Sequence, residues 1–338
     1  MSLHNLPSVK HLLVLPHLRV QNANAISSPL THGFPAITAF MGWMWALERK
    51  ARARGLPVRF SAVGVVCHNH QELVTDEGFV RTFRLTRNPV GKDGSTAAIV
   101  EEGRIHLEIS LVLAVHGDLW DEDPAAAGQM IPALMELVHS LRLAGGSVLP
   151  VPGSNVRRSQ PFAVHLTGTE QQMAEAFSTL RRAVLPGFAL VSRDDLIQTR
   201  LQALLAEQPD ATRLDAWLSL ARINWRYHPP EQDSKAARDK AWWHDRAGLG
   251  WVVPIPVGYG ALGPLHDPGA VANARDATTP FRFVESLYSV GQWISPHRLQ
   301  DPVQMLWFAD TRQDTGLYRC RNFFSPAAEA ADEDYDFN

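Results

Sequence analysis

Cysteine is scarce in this chain, with two residues among 338, and long apolar runs are missing. Cys67 and Cys320 lie far apart and neither belongs to a CxxC pair, which excludes a disulfide scaffold and fits a reducing cytoplasm. The longest apolar runs, such as 109–115, are too short to span a bilayer. The first residues lack the basic start and apolar core of a signal peptide. We therefore expect a globular, cytoplasmic protein with no membrane partner.

Motifs of catalysis and phosphate binding are missing as well. No GxxxxGK[ST] or GxGxxG pattern follows a predicted strand, and the stretch 258–263 (GYGALG) reads as a glycine-rich turn. The sequence contains neither GxSxG nor HExxH. Cys67, His68 and His70 are neighbours, but no second cysteine pair accompanies them. These observations predict a protein without a metal, without a cofactor and without enzymatic activity.

The net charge of −3 argues against a nucleic-acid binder, but its distribution does not. The segment 329–338 holds five acids and no base, so the rest of the chain is slightly basic. We expect 327–338 to form a disordered acidic tail. Basic residues cluster after the first predicted helix, at Arg49, Lys50, Arg52, Arg54 and Arg59.

The most unusual stretch is the opening segment, 12–35. An apolar run from Leu12 to Val20 gives way to small amide and hydroxyl side chains, and then to an apolar helical pattern after Pro35. This order predicts a strand, a polar loop and a helix with Pro35 in its first turn. The loop offers many hydrogen-bonding groups but no strong base or nucleophile. It therefore suits holding a polar ligand better than breaking bonds.

The sequence pattern of the first half of the chain predicts the order strand–helix–strand–strand–helix–strand. Helices are predicted at 35–52 and 131–141, and strands at 58–68, 79–85, 104–115 and 162–166, with a hairpin tip at 88–94. This order predicts an α+β fold with a ferredoxin-like core whose two helices cover one sheet face. The other face would be free, and in RNA-recognition modules that face or its edge loops hold single-stranded RNA.

Four regions follow from the composition of the chain. We predict a ferredoxin-like core with a hairpin extension at 1–185 and a helical insertion at 186–247. A strand- and turn-rich return to the core follows at 248–326, before the tail. The proline- and glycine-rich stretch 248–265 fits a bulged edge strand or a structured loop.

Arginines recur beside loops of small residues. Arg157 and Arg158 follow a Gly- and Pro-rich loop, and Arg275, Arg282 and Arg298 lie among Thr, Ser and Asn. Guanidinium groups suit phosphate oxygens, and nearby Tyr259, Phe281 and Trp293 can stack on bases. His17 and His32 flank the polar loop and are the candidates for acid–base chemistry on an RNA 2′-hydroxyl.

Four segments carry a resemblance: LPHLRVQNANAISSPLTHGFPAITAF, GGSVLP, GWVVPIPVGYGAL and ARDATTPFRFVESLYSVGQWISPHRL. They resemble the second Csy subunit of type I-F CRISPR surveillance complexes, the Cas-five-type tail protein of the RAMP superfamily. The resemblance runs from residue 12 to about residue 324. It implies a RAMP-type ferredoxin-like (RRM-like) fold and a subunit that is not itself a nuclease.

The resemblance also implies partners. The family pairs with the large, Cas-eight-type Csy subunit to hold the 5′ handle of the guide RNA. The guide then runs along the backbone Csy subunits, and the complex recognises target double-stranded DNA. The hairpin around 88–94 would fold over the first guide segment. A RAMP-type endoribonuclease that cuts repeat RNA, with His17 or His32 as base, is the alternative.

By position in these motifs and loops, the predicted RNA-binding residues are Arg19, Gln21, Asn22, Asn24, Ser27, Ser28, Arg157, Arg158, Tyr259, Arg275, Thr278, Arg282 and Arg298.

Overall fold

The computed structural model describes residues 9–87, 90–150, 158–227 and 242–326. The fold is mixed α/β, and its main element is one eleven-stranded sheet. Every strand pairing in the described part of this sheet is antiparallel. Its strands are β1 (His11–Asn24), β4 (Arg59–Glu72), β9 (Arg104–His116), β10 (Arg142–Leu143), β11 (Gly146–Leu149), β12 (Phe162–His165), β13 (Phe188–Ser192), β16 (Val252–Ala261), β17 (Val284–Ile294), β18 (Leu306–Arg312) and β19 (Leu317–Asn322).

Four two-stranded hairpins and seven helices complete the described elements. The hairpins pair β2 (Ile26–Ser28) with β3 (Thr31–His32), β5 (Val74–Asp76) with β6 (Arg81–Phe83), β7 (Leu85–Arg87) with β8 (Ile99–Glu101), and β14 (Trp225–Tyr227) with β15 (Trp242–His244). The helices are α1 (Ile37–Ala53), α2 (Asp118–Glu122), α3 (Pro124–Gly128), α4 (Ile131–Ser140), α5 (Glu170–Ala183), α6 (Asp194–Glu207) and α7 (Arg213–Leu220). Two short 3-10 helices occupy Pro296–Arg298 and Pro302–Met305.

Strand β1 lies near the centre of the first half of the sheet. It pairs with β9 along one edge, while β12 and β11 share its other edge, and β9 pairs in turn with β4. The predicted strand at 104–115 and helix at 131–141 agree with β9 and α4 within one residue. The predicted loop after Val20 is wrong in part, since β1 continues to Asn24. Helix α1 begins at Ile37, two residues later than the prediction that placed Pro35 in its first turn.

The first sheet face is covered by α1 and α4. Leu13 and Leu15 of β1 belong to one buried cluster with Phe40 and Met44 of α1 and Leu134 of α4. These side chains recur at helical spacing in α1 and α4 and at every second position in β1, so each element buries one apolar face.

The second sheet face was predicted to be free, and the structure corrects this for half of it. Leu12 and Val14 are fully buried in a second cluster, which contains Phe177 and Leu180 of α5. The start of β1 is therefore apolar on both sides, a pattern that indicates burial from both faces. From Arg19 onward the same face carries polar, exposed side chains.

The C-terminal strands close on β4. Strands β4, β13, β17, β16, β19 and β18 form a ring of pairings, because β4 pairs with β13 through Val66 and Cys67 and with β18 through Val63 and Gly64. Strand β16 carries the predicted bulge, between Pro256 and Gly258. It is not simply an edge strand, since it pairs with both β17 and β19.

The region predicted as a helical insertion begins instead with β13, which belongs to the main sheet. Helices α6 and α7 and the β14–β15 hairpin follow it. Trp217 of α7 ties this region to the ring, because its indole N–H donates to the Ser289 carbonyl at 2.8 Å. None of the helices among the described residues is long and apolar enough to cross a membrane.

Candidate functional site

Two bulges in β1 decide which side chains reach the exposed half of the second face. They lie between Leu15 and Leu18 and between Val20 and Ala23. Each contains a non-glycine residue with positive φ, His17 at 52° and Asn22 at 58°. Because an extra residue reverses the alternation of a strand, Arg19 and Gln21 face the side on which Leu12 and Val14 lie earlier.

The first bulge is fixed by a buried hydrogen-bond network. The His17 N–H donates to Ser110 Oγ at 3.1 Å, and its Nδ1–H donates to Glu108 Oε1 at 2.7 Å. The His17 ring stacks on His68 with 4.0 Å between ring centroids. His68 Nδ1–H donates to the Pro186 carbonyl at 2.6 Å, so its Nε2 accepts from the Ser110 hydroxyl at 2.6 Å. Burial lowers the pKa of His68 to about 4, which keeps its ring neutral near pH 7.

A set of polar side chains, here called the sheet-face cluster, occupies the exposed half of the second face. In register, Arg19, Glu108 and Asn69 lie side by side on β1, β9 and β4, and His106 lies beside Gln71. With Gln21 and neighbouring backbone, they line a notch of about 250 Å³. The side chains of Arg19, Gln21, Asn69 and Gln71 form no hydrogen bond or ion pair with another residue that the structure describes.

The β2–β3 hairpin, here called the opening hairpin, uses its own polar side chains to hold its shape. Asn24 bonds the N–H and the carbonyl of Ile26 at 3.1 and 2.7 Å. The Ser27 and Ser28 hydroxyls both contact Thr31 Oγ1, at 2.8 and 2.7 Å. These side chains are typical turn-forming partners of the backbone. Their internal bonds limit the number of groups left for a ligand.

The second site is an open groove of about 770 Å³, here called the aromatic groove. It is bounded by Asn24 and Ser27, by the start of α1, by the turn at Ala144 and Gly145, and by a row of rings. The rings are those of Tyr259, Tyr318 and Trp45. Tyr259 lies nearly parallel to Tyr318 at 6.3 Å between centroids, and Trp45 is 6.1 Å from Tyr318.

The polar rim of the aromatic groove lies close to its aromatic wall. Helix α1 has no side-chain cap at its start, so its first N–H groups lack a side-chain acceptor. Tyr259 is 41% exposed, which leaves part of its ring open to a ligand. Burial raises the pKa of Tyr318 above its usual range, so its hydroxyl stays protonated. This combination of ring faces and backbone donors suits a base with its sugar and phosphate.

Comparison with known proteins decides the family. The family model for CRISPR-associated protein (Cas_Csy2) matches residues 13–320. The chain is 47% identical over 310 residues to "CRISPR-associated protein Csy2" of Pseudomonas aeruginosa (strain UCBPP-PA14), an alignment that covers 91% of this chain and 94% of that protein. The chain belongs to the Csy2 family. The resemblance seen in the sequence is thereby confirmed.

This Csy2-family chain brings some of the predicted RNA-binding residues together. Asn24, Ser27 and Tyr259 line the aromatic groove, and Arg19 and Gln21 line the notch. Asn22 lies between the two sites, with its N–H donating to His106 Nδ1 at 3.1 Å. Ser28 contributes to the opening hairpin.

The remaining predicted residues line neither the groove nor the notch. Arg158 donates to the Leu185 carbonyl at 3.1 Å and lowers the pKa of nearby His68, whereas Arg157 lies outside the described residues. Arg282 packs against the turn at Gly316. Arg275, Thr278 and Arg298 are exposed; Arg275 and Thr278 share a loop, and Arg298 ends a 3-10 helix. Their roles stay predictions.

The two histidines proposed for catalysis lie in separate networks. His17 is 4% exposed and bonded to Glu108, while His32 in β3 contacts Glu72 at 3.0 Å. Burial raises the pKa of Cys67 to about 12, so its thiol is not an active nucleophile. Within the described ranges, no three His, Cys, Asp or Glu side chains converge as metal ligands.

Sequence reasoning missed several residues of this Csy2 chain that line the two sites. Asn69 and Gln71 come from the end of β4, and His106 and Glu108 come from β9, where polar residues alternate with buried Ile105, Leu107 and Ile109. That alternation was a usable signal for one exposed face. No sequence signal indicated Trp45 or Tyr318, because only tertiary structure places them beside Tyr259.

Proposed function

We propose that this chain is a non-catalytic, RNA-binding subunit of a type I-F CRISPR surveillance complex. The single observation that carries the proposal is the aromatic groove. It places an exposed ring, Tyr259, next to the opening hairpin, in a chain of the Csy2 family. The leading nucleotides of the guide RNA, its 5′ handle, would bind there.

The proposed architecture is a RAMP-type, ferredoxin-like core. Its support is the spatial order of the strands, in which β11 and β12 pair with one edge of β1, and β9 lies between β1 and β4. This is the arrangement expected from a β-α-β-β-α-β chain in which neighbouring strands are antiparallel. The hairpins β5–β6 and β7–β8 extend from this core and expose apolar side chains, Phe79 at 108%. We assign them to folding over the first guide segment.

The proposed partners are the large Csy subunit, the backbone Csy subunit and, through the complex, target double-stranded DNA. Exposed aromatic residues support a protein partner. Trp225 and Trp242 are 59% and 56% exposed on the β14–β15 hairpin, and a contiguous patch of exposed rings is typical of a protein-interaction surface.

The endoribonuclease alternative needs a base that can reach a 2′-hydroxyl. The Glu108 bond and the low exposure of His17 support a structural role instead. Incubation of the purified chain with repeat RNA distinguishes the endoribonuclease from the non-catalytic subunit. Cleavage products that disappear in His17→Ala would support the enzyme.

The test of the RNA-binding proposal is RNA retention when the chain is purified with its partners from cells. Tyr259→Ala should lower the affinity for the retained RNA by roughly 5- to 150-fold, since one base–aromatic stack is worth about 1–3 kcal/mol. Tyr259→Phe should retain the RNA because it keeps the ring.

Phe188→Ala, which removes an exposed ring of β13 that lines neither the groove nor the notch, is the matched control. Equal RNA retention by Tyr259→Ala and Phe188→Ala would contradict binding in the groove.

A further inference from the structure

The sheet-face cluster is a second candidate site, on the opposite sheet face from α1. The side chains of Arg19, Gln21, Asn69 and Gln71 line the notch and have no hydrogen-bond or ion-pair partner among the described residues. Ordered polar side chains on a sheet normally pair with one another across strands. Arg19 lies directly opposite Glu108 in register, yet the two form no ion pair in the described structure. The cluster is therefore left available for a ligand.

The hydrogen bonds of the lining residues determine which atoms in the notch are donors and which are acceptors. His106 Nδ1 accepts the Asn22 N–H, so its Nε2 carries a hydrogen and is a donor. Glu108 Oε1 accepts from His17, which leaves Oε2 as an acceptor and fixes the carboxylate in the notch. Arg19 supplies a fork of donors beside it. The site thus pairs an acceptor-only group with a donor-only group on neighbouring strands.

The size and chemistry of the notch indicate a single nucleobase. Its 250 Å³ is smaller than a typical small-molecule pocket, roughly 300–1,000 Å³. His70 and His106 line it, but no Phe, Tyr or Trp among the described residues does, so recognition would rest mainly on hydrogen bonds. The Glu108 carboxylate would repel a phosphate, which argues against a simple anion site.

Guanine fits this pair of groups best. Its Watson–Crick edge offers two adjacent donors, N1–H and the N2 amino group, to one carboxylate, and O6 to an arginine. Adenine, cytosine and uracil each offer a donor from only one ring position or amino group on that edge. We propose that Glu108 and Arg19 form a guanine-recognition site on the exposed sheet face. This inference rests on the proposed function, because it assumes a single-stranded RNA ligand.

The network behind Glu108 has a positioning role in this proposal. Ser110 and His68 hold the His17 bulge, and His17 holds Glu108. Neither His68 nor Ser110 lines the notch. Both would act on the ligand only through the placement of Glu108.

The test uses the full chain and fluorescent 12-nucleotide uridine RNAs with one central guanosine, inosine, adenosine or uridine. Inosine lacks only the N2 amino group. We expect guanosine to bind about tenfold tighter than inosine, and Glu108→Gln to abolish that difference. Arg19→Ala should weaken guanosine binding by a similar factor. Glu207→Gln and Arg213→Ala, at exposed positions of α6 and α7, are the charge-matched controls.

The outcomes separate the two proposals. RNA binding with equal affinity for guanosine and inosine overturns the guanine site and leaves the proposed function standing. Loss of preference in the control variants also overturns it. Failure to bind any of the RNAs, alone or with the partner subunits, overturns both. The comparison of guanosine with inosine on the unmodified chain does not depend on whether a variant folds.

Discussion

His68 shows how one residue links the fold to the exposed sheet face. Its two ring nitrogens bond Ser110 and Pro186, and it stacks on His17 at the bulge that reverses β1. In the sequence, His68 is notable only as a neighbour of Cys67 and His70, a spacing that is weak evidence for a metal site. Its real partners lie more than forty residues away in the chain, so local spacing could not reveal them.

Acid should lower the free energy of unfolding through protonation of His68. The pKa of His68 is lowered from 6.5 to about 4, first by burial and then by nearby His17 and Arg158. The unfolded chain therefore binds more protons between pH 6.5 and 4, and stability falls as pH drops through that window. We expect His68→Gln to be less stable than the unmodified chain at pH 7.5, with a smaller difference at pH 5.

Urea unfolding at the two pH values measures this change. The exposed His139 of α4 supplies a matched histidine-to-glutamine control. A difference between the unmodified chain and His68→Gln that is the same at both pH values would mean that His68 does not titrate with folding.

Arg19 marks what the sequence could predict about the site. Its place in the opening motif made it a predicted RNA-binding residue, and in the structure its side chain is exposed and lines the notch. The same reasoning chose Ser27 and Ser28, whose hydroxyls instead bond Thr31. The residue types are identical in both roles, so only the turn geometry distinguishes a ligand contact from a turn contact.

At the scale of elements, strongly periodic segments were predictable and their packing partners were not. Strand β9 and helix α4 matched their predictions because each has one clear apolar period. Helix α5 packs on the second sheet face, a placement that its own sequence pattern does not reveal. Its amphipathic pattern specifies that it buries a face, without specifying against which strand.

The glycine turn at 144–146 joins β10 to β11. Gly146 is needed there because a Cβ would lie 2.7 Å from the Ala23 N and 2.8 Å from the Gln21 carbonyl oxygen. The turn therefore packs directly on the second bulge of β1. This close approach places Ala144 and Gly145 at the edge of the aromatic groove.

Gly258 is a second position at which an element depends on a missing side chain. A Cβ there would overlap the Tyr318 carbonyl oxygen of β19, at the bulge that sets Tyr259 beside Tyr318. We expect Gly258→Ala to destabilise the chain by about 1–3 kcal/mol or more, because the backbone must move apart.

Gly263→Ala is the control, since no atom lies within 4 Å of a Cβ at that position. Urea unfolding of both variants measures the free energies. Equal stabilities for the two variants would show that β16 and β19 do not pack as described.

At the scale of the whole molecule, the N- and C-terminal parts are joined by β4. This strand pairs with β9 on one edge and with β13 and β18 on the other, so it belongs to both the first half of the sheet and the ring. Long-range pairings of this kind leave no local trace in the sequence. The predicted division of the chain into a core, an insertion and a return therefore did not include these strand pairings.

The opening segment connects the two candidate sites. Residues of β1 line the notch on one sheet face, and its end and the opening hairpin line the aromatic groove. The sequence had already distinguished this segment by its unusual composition. The structure adds the rings of Tyr259, Tyr318 and Trp45, which line the groove beside this segment.

The most direct test of this account is photo-cross-linking of the assembled particle, with 4-thiouridine placed in the leading nucleotides of the guide RNA and the cross-linked peptides identified by mass spectrometry. The account predicts cross-links to the peptides that contain Tyr259 and the opening hairpin. Cross-links from those nucleotides to other parts of the particle, with none to either peptide, would contradict it.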